Sequence, residues 1–334
     1  MYLHKSRTLT TCLCLVFAVS LAACKSNPEP VDAEEGVTEG ASPRGEVPSS
    51  QPAPSSQPAP SSQPATGSAD APLNLPQAWI EERAKESEAR LMANDAGKLI
   101  ARAIETHGGL AHWYAQGPLA FRFTYTPEDT SKPARDTYQI IDTWSSRAYH
   151  EMASDRTQTF GWDGTKAWST LPDDKVISPR FWSLTPYYFV GVPFVFADEG
   201  VQYEMAGEAT FEDRTYDLVK VTFGEGVGDA PDDYYVTYID RESGRIGGVR
   251  YIVSYPGFFP EGGHSPEKLM IYDGEQSVGG VVLPVSFRTF SWDVEKQEPV
   301  ELVTKTTLTD VAFAPQTPAS KFEAPEGAHI LDEM

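Results

Sequence analysis

Cysteine is nearly absent: the chain of 334 residues has three, Cys12, Cys14 and Cys24. With none after position 24, no disulfide can staple the rest of the chain, and the fold must be held by its apolar core even in an oxidising compartment. Basic residues are scarce as well, 27 against 48 acidic, for a formal charge of -21. A surface of that sign repels nucleic acid, which is excluded as a partner. The acids are spread along the whole chain and read as solvated surface. Beyond the first two dozen residues no apolar run approaches the roughly 20 residues needed to cross a bilayer. Signatures of catalysis are missing too: there is no Gly-x-Ser-x-Gly elbow, no His-Glu-x-x-His, no Cys-x-x-Cys and no phosphate-cradling glycine loop. The chain therefore reads as a protein without covalent catalysis, cofactor or metal.

Isolated polar residues do not change that. His107 and His112 stand five apart around a Gly-Gly break, a poor spacing for a shared metal, and His107 reads as a helix C-terminal residue favoured by the dipole. The glycine-rich stretch from Gly226 to Tyr234 holds Asp229, Asp232 and Asp233. Three carboxylates in one loop can coordinate Ca²⁺, but the spacing is not that of an EF-hand. A turn in which Asp229 and Asp232 accept from backbone amides is the favoured reading.

What is present begins at the N-terminus. Lys5 and Arg7 precede an apolar stretch from Leu9 to Leu21, and Leu21-Ala22-Ala23-Cys24 closes it. The pattern is that of a secretory signal and resembles bacterial lipoprotein signal peptides, in which the cysteine thiol receives a diacylglyceryl group. Cleavage then makes Cys24 the first residue of the mature protein, acylated with palmitate-type chains. An uncleaved transmembrane anchor is the alternative, for which 13 apolar-leaning residues are too short. Removing residues 1–23 takes away two basic side chains, Lys5 and Arg7, and no acids, which leaves 25 basic and 48 acidic residues and a charge of -23.

Residues 24–72 form a lipidated start and a linker. The segment opens acidic and then runs through three copies of Pro-Ser-Ser-Gln-Pro-Ala, from Pro48 to Ala65. It lacks the apolar surface to offset its ordering entropy and is predicted to be a disordered passive spacer. Fully extended as polyproline II it reaches about 150 Å; as a flexible coil, about 40 Å.

Residues 73–334 read as one domain, helical first and then β. Trp79, Ile80, Ala84, Leu91 and Met92 punctuate a first helix. Asn94 or Asp95 caps a second, Ala96 to Glu105, stopped by His107-Gly108-Gly109. A short helix comes next through Trp113 and Tyr114. After Gly117 the texture turns to short runs of β-branched and aromatic residues broken by Asp-Gly, Glu-Gly and Pro. Twelve candidate strands are Ala120–Thr126, Asp136–Trp144, Ala148–Ser154, Gln158–Trp162, Lys166–Thr170, Gln202–Glu208, Thr215–Thr222, Tyr234–Asp240, Ile246–Ser254, Lys268–Tyr272, Val281–Trp292 and Val300–Phe313. Strands so close in sequence must pair mainly antiparallel, and Trp162-Asp163-Gly164-Thr165 reads as a tight hairpin turn.

The aromatic load points to a site. Between Phe181 and Phe196 no side chain is acidic or basic. Phe181, Trp182, Tyr187, Tyr188, Phe189, Phe194 and Phe196 in that run either plug the concave side of a curved sheet as core or form a lid over an apolar pocket. Trp144, Trp162, Trp168, Tyr203, Phe223, Tyr235, Tyr251 and Phe287 are the sheet aromatics expected near such a pocket.

Taken together, Ala103-Ile104-Glu105-Thr106-His107-Gly108-Gly109 with Trp113, then Trp162-Asp163-Gly164 with Trp168, Pro186-Tyr187-Tyr188-Phe189 with Pro193-Phe194, Gly226-Val227-Gly228 through Tyr234, and Leu283-Pro284 resemble an uncharacterised lipoprotein group among LolA/LolB-like periplasmic proteins. The resemblance covers about residues 90–325. It implies a mainly β, α+β fold: a half-open antiparallel β-barrel of about eleven strands, its concave face covered by helices and the aromatic segment around an apolar cavity. Members of known role carry acylated lipoproteins or lipids between membranes. The resemblance places the chain at the periplasmic face of the outer membrane, because Lys25 is not the aspartate associated with inner-membrane retention.

Three readings fit these residues. The first is a lipid-anchored monomer that binds an acyl chain or lipidated client in the half-barrel. The second is a structural or interaction lipoprotein whose core is filled by its own aromatics. The third is an envelope hydrolase, whose paired carboxylates would meet in space rather than in sequence. Cys24→Ser is expected to abolish incorporation of a palmitate analogue and to release the chain from the membrane fraction. Continued labelling of that variant would refute the lipid anchor.

Overall fold

The computed structural model describes residues 72–331 apart from 173–177, 225–226, 228–229 and 231. The signal segment, Cys24, the Pro-Ser-Ser-Gln-Pro-Ala repeats and Asp229 lie outside the described residues.

Three helices come first: α1 (Gln77–Leu91), α2 (Asp95–Thr106) and α3 (Leu110–Ala115). Asn94 is the residue that caps α2, its side-chain oxygen accepting from Gly97 N at 2.7 Å, which satisfies one of the amides a helix start leaves unpaired. His107 and two glycines at positive φ end α2, as the sequence predicts. Gly108 is required for packing as well: a Cβ there would stand 2.4 Å from Gly280 O. Without a side chain, the helix end approaches closely enough for Val282 N to donate to His107 O at 2.8 Å.

The described residues form thirteen strands in a single antiparallel sheet. In chain order they are β1 (Leu119–Pro127), β2 (Arg135–Ile141), β3 (Ala148–Met152), β4 (Asp155–Trp162), β5 (Ala167–Ser169), β6 (Val201–Phe211), β7 (Arg214–Phe223), β8 (Tyr234–Asp240), β9 (Ile246–Tyr251), β10 (Lys268–Val278), β11 (Val281–Asp293), β12 (Glu298–Phe313) and β13 (His329–Leu331). Their spatial order is β13-β5-β4-β3-β2-β1-β12-β11-β10-β9-β8-β7-β6, and the two edges do not join. All twelve candidate strands exist. The count is thirteen rather than about eleven, because β13 returns to pair with β5 through Ile330 opposite Trp168. Several boundaries moved, including the start of β4 at Asp155, the end of β6 at Phe211 and the end of β9 at Tyr251, and two of the shifts have local reasons. The second strand ends at Ile141 rather than Trp144, since the fully buried Asp142 turns the chain by accepting from Ser145 N and Arg147 Nε, both at 2.7 Å. The tenth runs on to Val278 through polar residues that pair with β11.

Topology explains the aromatic segment. Strands β1 to β5 meander toward one edge, β6 to β12 start at the other edge and return until β12 meets β1. The chain between β5 and β6 must therefore cross a face of the sheet. It does so as α4 (Pro179–Val190) and a 3₁₀ turn, Phe194–Ala197. Trp113 from α3 locks this crossing in place. It is 1 % exposed, stacks on Phe194 with centroids 4.5 Å apart and planes 6° off parallel, and lies 6.3 Å from Tyr187 on the same segment. Trp113→Ala is expected to cost about 3–5 kcal/mol, read as a lower urea midpoint at unchanged m value.

Candidate functional site

A cavity of about 140 Å³ lies between α4 and the strands β6 to β9. From the crossing segment it is walled by Phe181, Leu184, Tyr188, Phe189 and Val195, and from the sheet side by Val201, Phe223, Tyr235, Tyr251 and Ile252. Inward-facing positions alternate along each strand, which brings Tyr235 of β8 directly opposite Tyr251 of β9. Phe189 sits over this pair at 4.9 Å from Tyr251 and 6.1 Å from Tyr235, and Phe223 closes the far side at 6.0 Å. Burial drives the phenol pKa of both tyrosines upward, so they stay neutral.

The polar groups on the wall are few. Arg180 is buried, its guanidinium 3.6 Å over the Trp162 ring. Asp233 accepts from Ser254 N at 2.6 Å and Ser254 Oγ at 2.8 Å. Asp198, half-buried with 42 % of its side chain accessible, also lines the cavity. Burial lifts its carboxyl to about 6 against the opposing pull of Arg83, whose Nη2 is 3.4 Å away, and of Arg90.

Of the fifteen aromatics singled out in the sequence, Phe181, Tyr188, Phe189, Phe223, Tyr235 and Tyr251 line this cavity. The other nine do not. Tyr187, Phe194 and Phe196 are buried in the main core. Trp168 is fully buried and donates Nε1–H to Phe322 O at 2.9 Å. Trp162 lies behind the cavity under Arg180, and Trp144 packs in the main core beside it. Trp182 faces Tyr125 at 5.2 Å and Phe287 faces Tyr272 at 4.8 Å. Tyr203 donates to Phe196 O. The charged wall residues had a readable signal: Arg180 and Asp198 are the last and first ionisable side chains on either side of the charge-free run.

Elsewhere polar residues pair among themselves. A second cleft of about 300 Å³ holds Arg214, Asp240, Arg245 and Glu275, with Arg214 3.5 Å from Asp240 and Arg245 4.0 Å from Glu275. His150 is fully buried against Phe160, and its Nε2–H donates to Ser183 O at 2.9 Å, while Ser183 Oγ is committed to Pro179 O at 2.6 Å. That arrangement holds backbone rather than activating a nucleophile. His264 is exposed on Ser265 O. His107 stands at the helix end as predicted, but as a neutral ring: burial lowers its pKa to about 4, and its Nδ1–H donates to Ala103 O of the last turn at 2.7 Å, in place of a charge on the dipole. In the glycine-rich loop it is Asp233 whose carboxylate takes the amide, and Asp229 lies outside the described residues. Among the described residues no three His, Cys, Asp or Glu side chains are grouped to hold a metal ion, and no helix is long and apolar enough to cross a membrane.

No family model and no curated protein matches this chain. Solved structures do. A LolA superfamily protein from Nitrosomonas europaea is similar at 12% identity over 69% of this chain and 98% of its own, with a TM-score of 0.46. A DUF1329 family protein from Desulfovibrio piger is similar at 10% identity over 69% and 98%, TM-score 0.44. An outer membrane lipoprotein-sorting protein domain from Vibrio parahaemolyticus gives 10% over 68% and 97%, TM-score 0.42. The likeness is one of fold.

His150, like His107, is held neutral by burial, with a pKa lowered to about 4. A depressed histidine pKa means the unfolded state binds the proton more readily, so this contribution is complete above about pH 6.5 and is lost as pH falls toward 4. Each histidine adds a slope of up to about 1.4 kcal/mol per pH unit in that window; Asp198, raised to about 6, acts in the opposite sense. His150→Gln is expected to flatten the fall in urea midpoint between pH 6.5 and 4 relative to the unmodified chain. Parallel profiles would show that His150 does not titrate on unfolding.

Proposed function

We propose that this chain is a membrane-tethered lipoprotein of the cell envelope whose domain holds an apolar chain, such as an acyl chain or the lipid of a client, without covalent chemistry. The observation that carries this reading is the aromatic-walled cavity between α4 and β6–β9. Cys24 supplies the anchor and residues 25–72 the reach. Lys25 favours the periplasmic face of the outer membrane, with the domain acting as a monomer.

Magnitude sets the mode of binding. An apolar cavity of about 150 Å³ accepts a benzene-sized guest, so 140 Å³ takes about six carbons. At about 0.8 kcal/mol per buried CH₂ that is about 5 kcal/mol, affinity near the upper micromolar range before ordering costs. Such a site captures and releases rather than stores. The self-filled reading keeps one observation in its favour: nine of the fifteen aromatics pack away from the cavity, eight of them in the main core cluster or against it.

Leu184→Trp decides between them. Leu184 is 4 % exposed and lines the cavity, so the larger ring fills it at about 1–3 kcal/mol of overpacking. The expected outcome is loss of Nile red binding and of co-purified lipid in native mass spectrometry, with the fold retained. No dye or lipid signal in the unmodified chain would favour the self-filled core, and equal signals in the variant would overturn this cavity as the binding site.

A further inference from the structure

The cavity wall is not electrically neutral. Arg180 and Asp198 bracket the charge-free run and both line the cavity, and Asp233 joins them from the sheet side. Among the described wall residues, carboxylates thus outnumber cations two to one. The guanidinium of Arg180 stands 3.6 Å over the Trp162 ring. Arg83 and Arg90 approach Asp198 from α1 but are not on the wall: Arg83 Nη2 stands at 3.4 Å from Asp198 Oδ1, and Arg90 Nη2 donates to Ala197 O and Ser87 Oγ at 2.9 Å each. Asp198 lines the cavity, and 42 % of its side chain stays accessible.

We infer that the cavity takes the end of one unbranched alkyl chain bearing a hydrogen-bond donor, a hydroxyl or an ammonium, and discriminates against the same chain ending in a carboxylate. This rests on the apolar-chain reading. Two features carry it. The volume admits one chain and not two. The acceptors at Asp198 and Asp233 can receive a donor, whereas a third carboxylate brought among them meets like charge across a wall of low dielectric.

The test is displacement of Nile red from the full chain carrying C24S, at pH 8 where Asp198 is ionised, by 1-decanol, decylamine and decanoate. The expected ranking places decanoate at least about tenfold weaker than the other two. Decanol and decylamine together identify a donor-bearing chain; a strong preference for decylamine alone narrows the ligand to a cation. Asp198→Asn is expected to strengthen decanoate and weaken decylamine, closing the gap several-fold. Decanoate binding as tightly as decanol in the unmodified chain overturns the inference while leaving chain binding intact, and that ranking needs no variant to fold. Failure of all three compounds and of the dye itself overturns the chain-binding reading along with it.

Discussion

The fold depends on one crossing. Because β5 lies beside one edge of the sheet and β6 forms the other, the segment between them has to pass over a face that the core occupies. A chain taken through an apolar interior must lose its charges and pair its backbone. The sequence meets the first demand with a run from Phe181 to Ala197 free of ionisable acids and bases. Side chains from the sheet meet the second. His150 of β3 donates to Ser183 O, Tyr272 of β10 to Phe189 O and Tyr203 of β6 to Phe196 O. The last two carbonyls belong to the end of α4 and to the 3₁₀ turn, where intrahelical partners run out. Burial beneath the crossing lifts the pKa of Tyr203 and Tyr272.

The crossing also accounts for the helices before the sheet. Trp113 and Arg83 both reach the crossing segment, Trp113 through Phe194 and Tyr187 and Arg83 through Asp198. α2 is fastened to the β8–β9 turn by Arg102 donating to Arg241 O at 2.8 Å and by Thr106 donating to Gly244 O at 3.0 Å. The helical start therefore caps the crossing rather than forming a layer of its own.

Much of this was legible in the residues. Tyr234–Asp240 matches its predicted strand at both ends because an aromatic-rich alternation is bounded by Asp233 and by the Ser243-Gly244 turn. β13 was not legible: three residues carry no period, and their pairing with β5 is set by contacts about 160 positions away. The aromatic run was readable as a cover over the sheet, but not which rings fill and which line. Trp162 and Trp168 show why. They lie on neighbouring strands, yet Trp168 reaches full burial because Gly161 leaves room where a Cβ would stand 2.7 Å from its ring. That depends on register, which a single strand's pattern does not contain. Leu184 and Val195 on the cavity wall are ordinary core residues by type, and only their position distinguishes them.

The cavity of about 140 Å³ is space that the crossing segment leaves unfilled. The crossing segment has the means to close it, since Leu184 and Val195 border the space and a larger side chain at either would fill it. Instead the wall is built of rigid rings: Tyr235 and Tyr251 stack on each other at 27°, and Phe189 meets the pair at 60° and 80°. Packing elsewhere on the same segment is tight, with Phe194 flat on Trp113. Under the proposed reading, a guest of matching polarity would gain by burying its apolar surface against this wall.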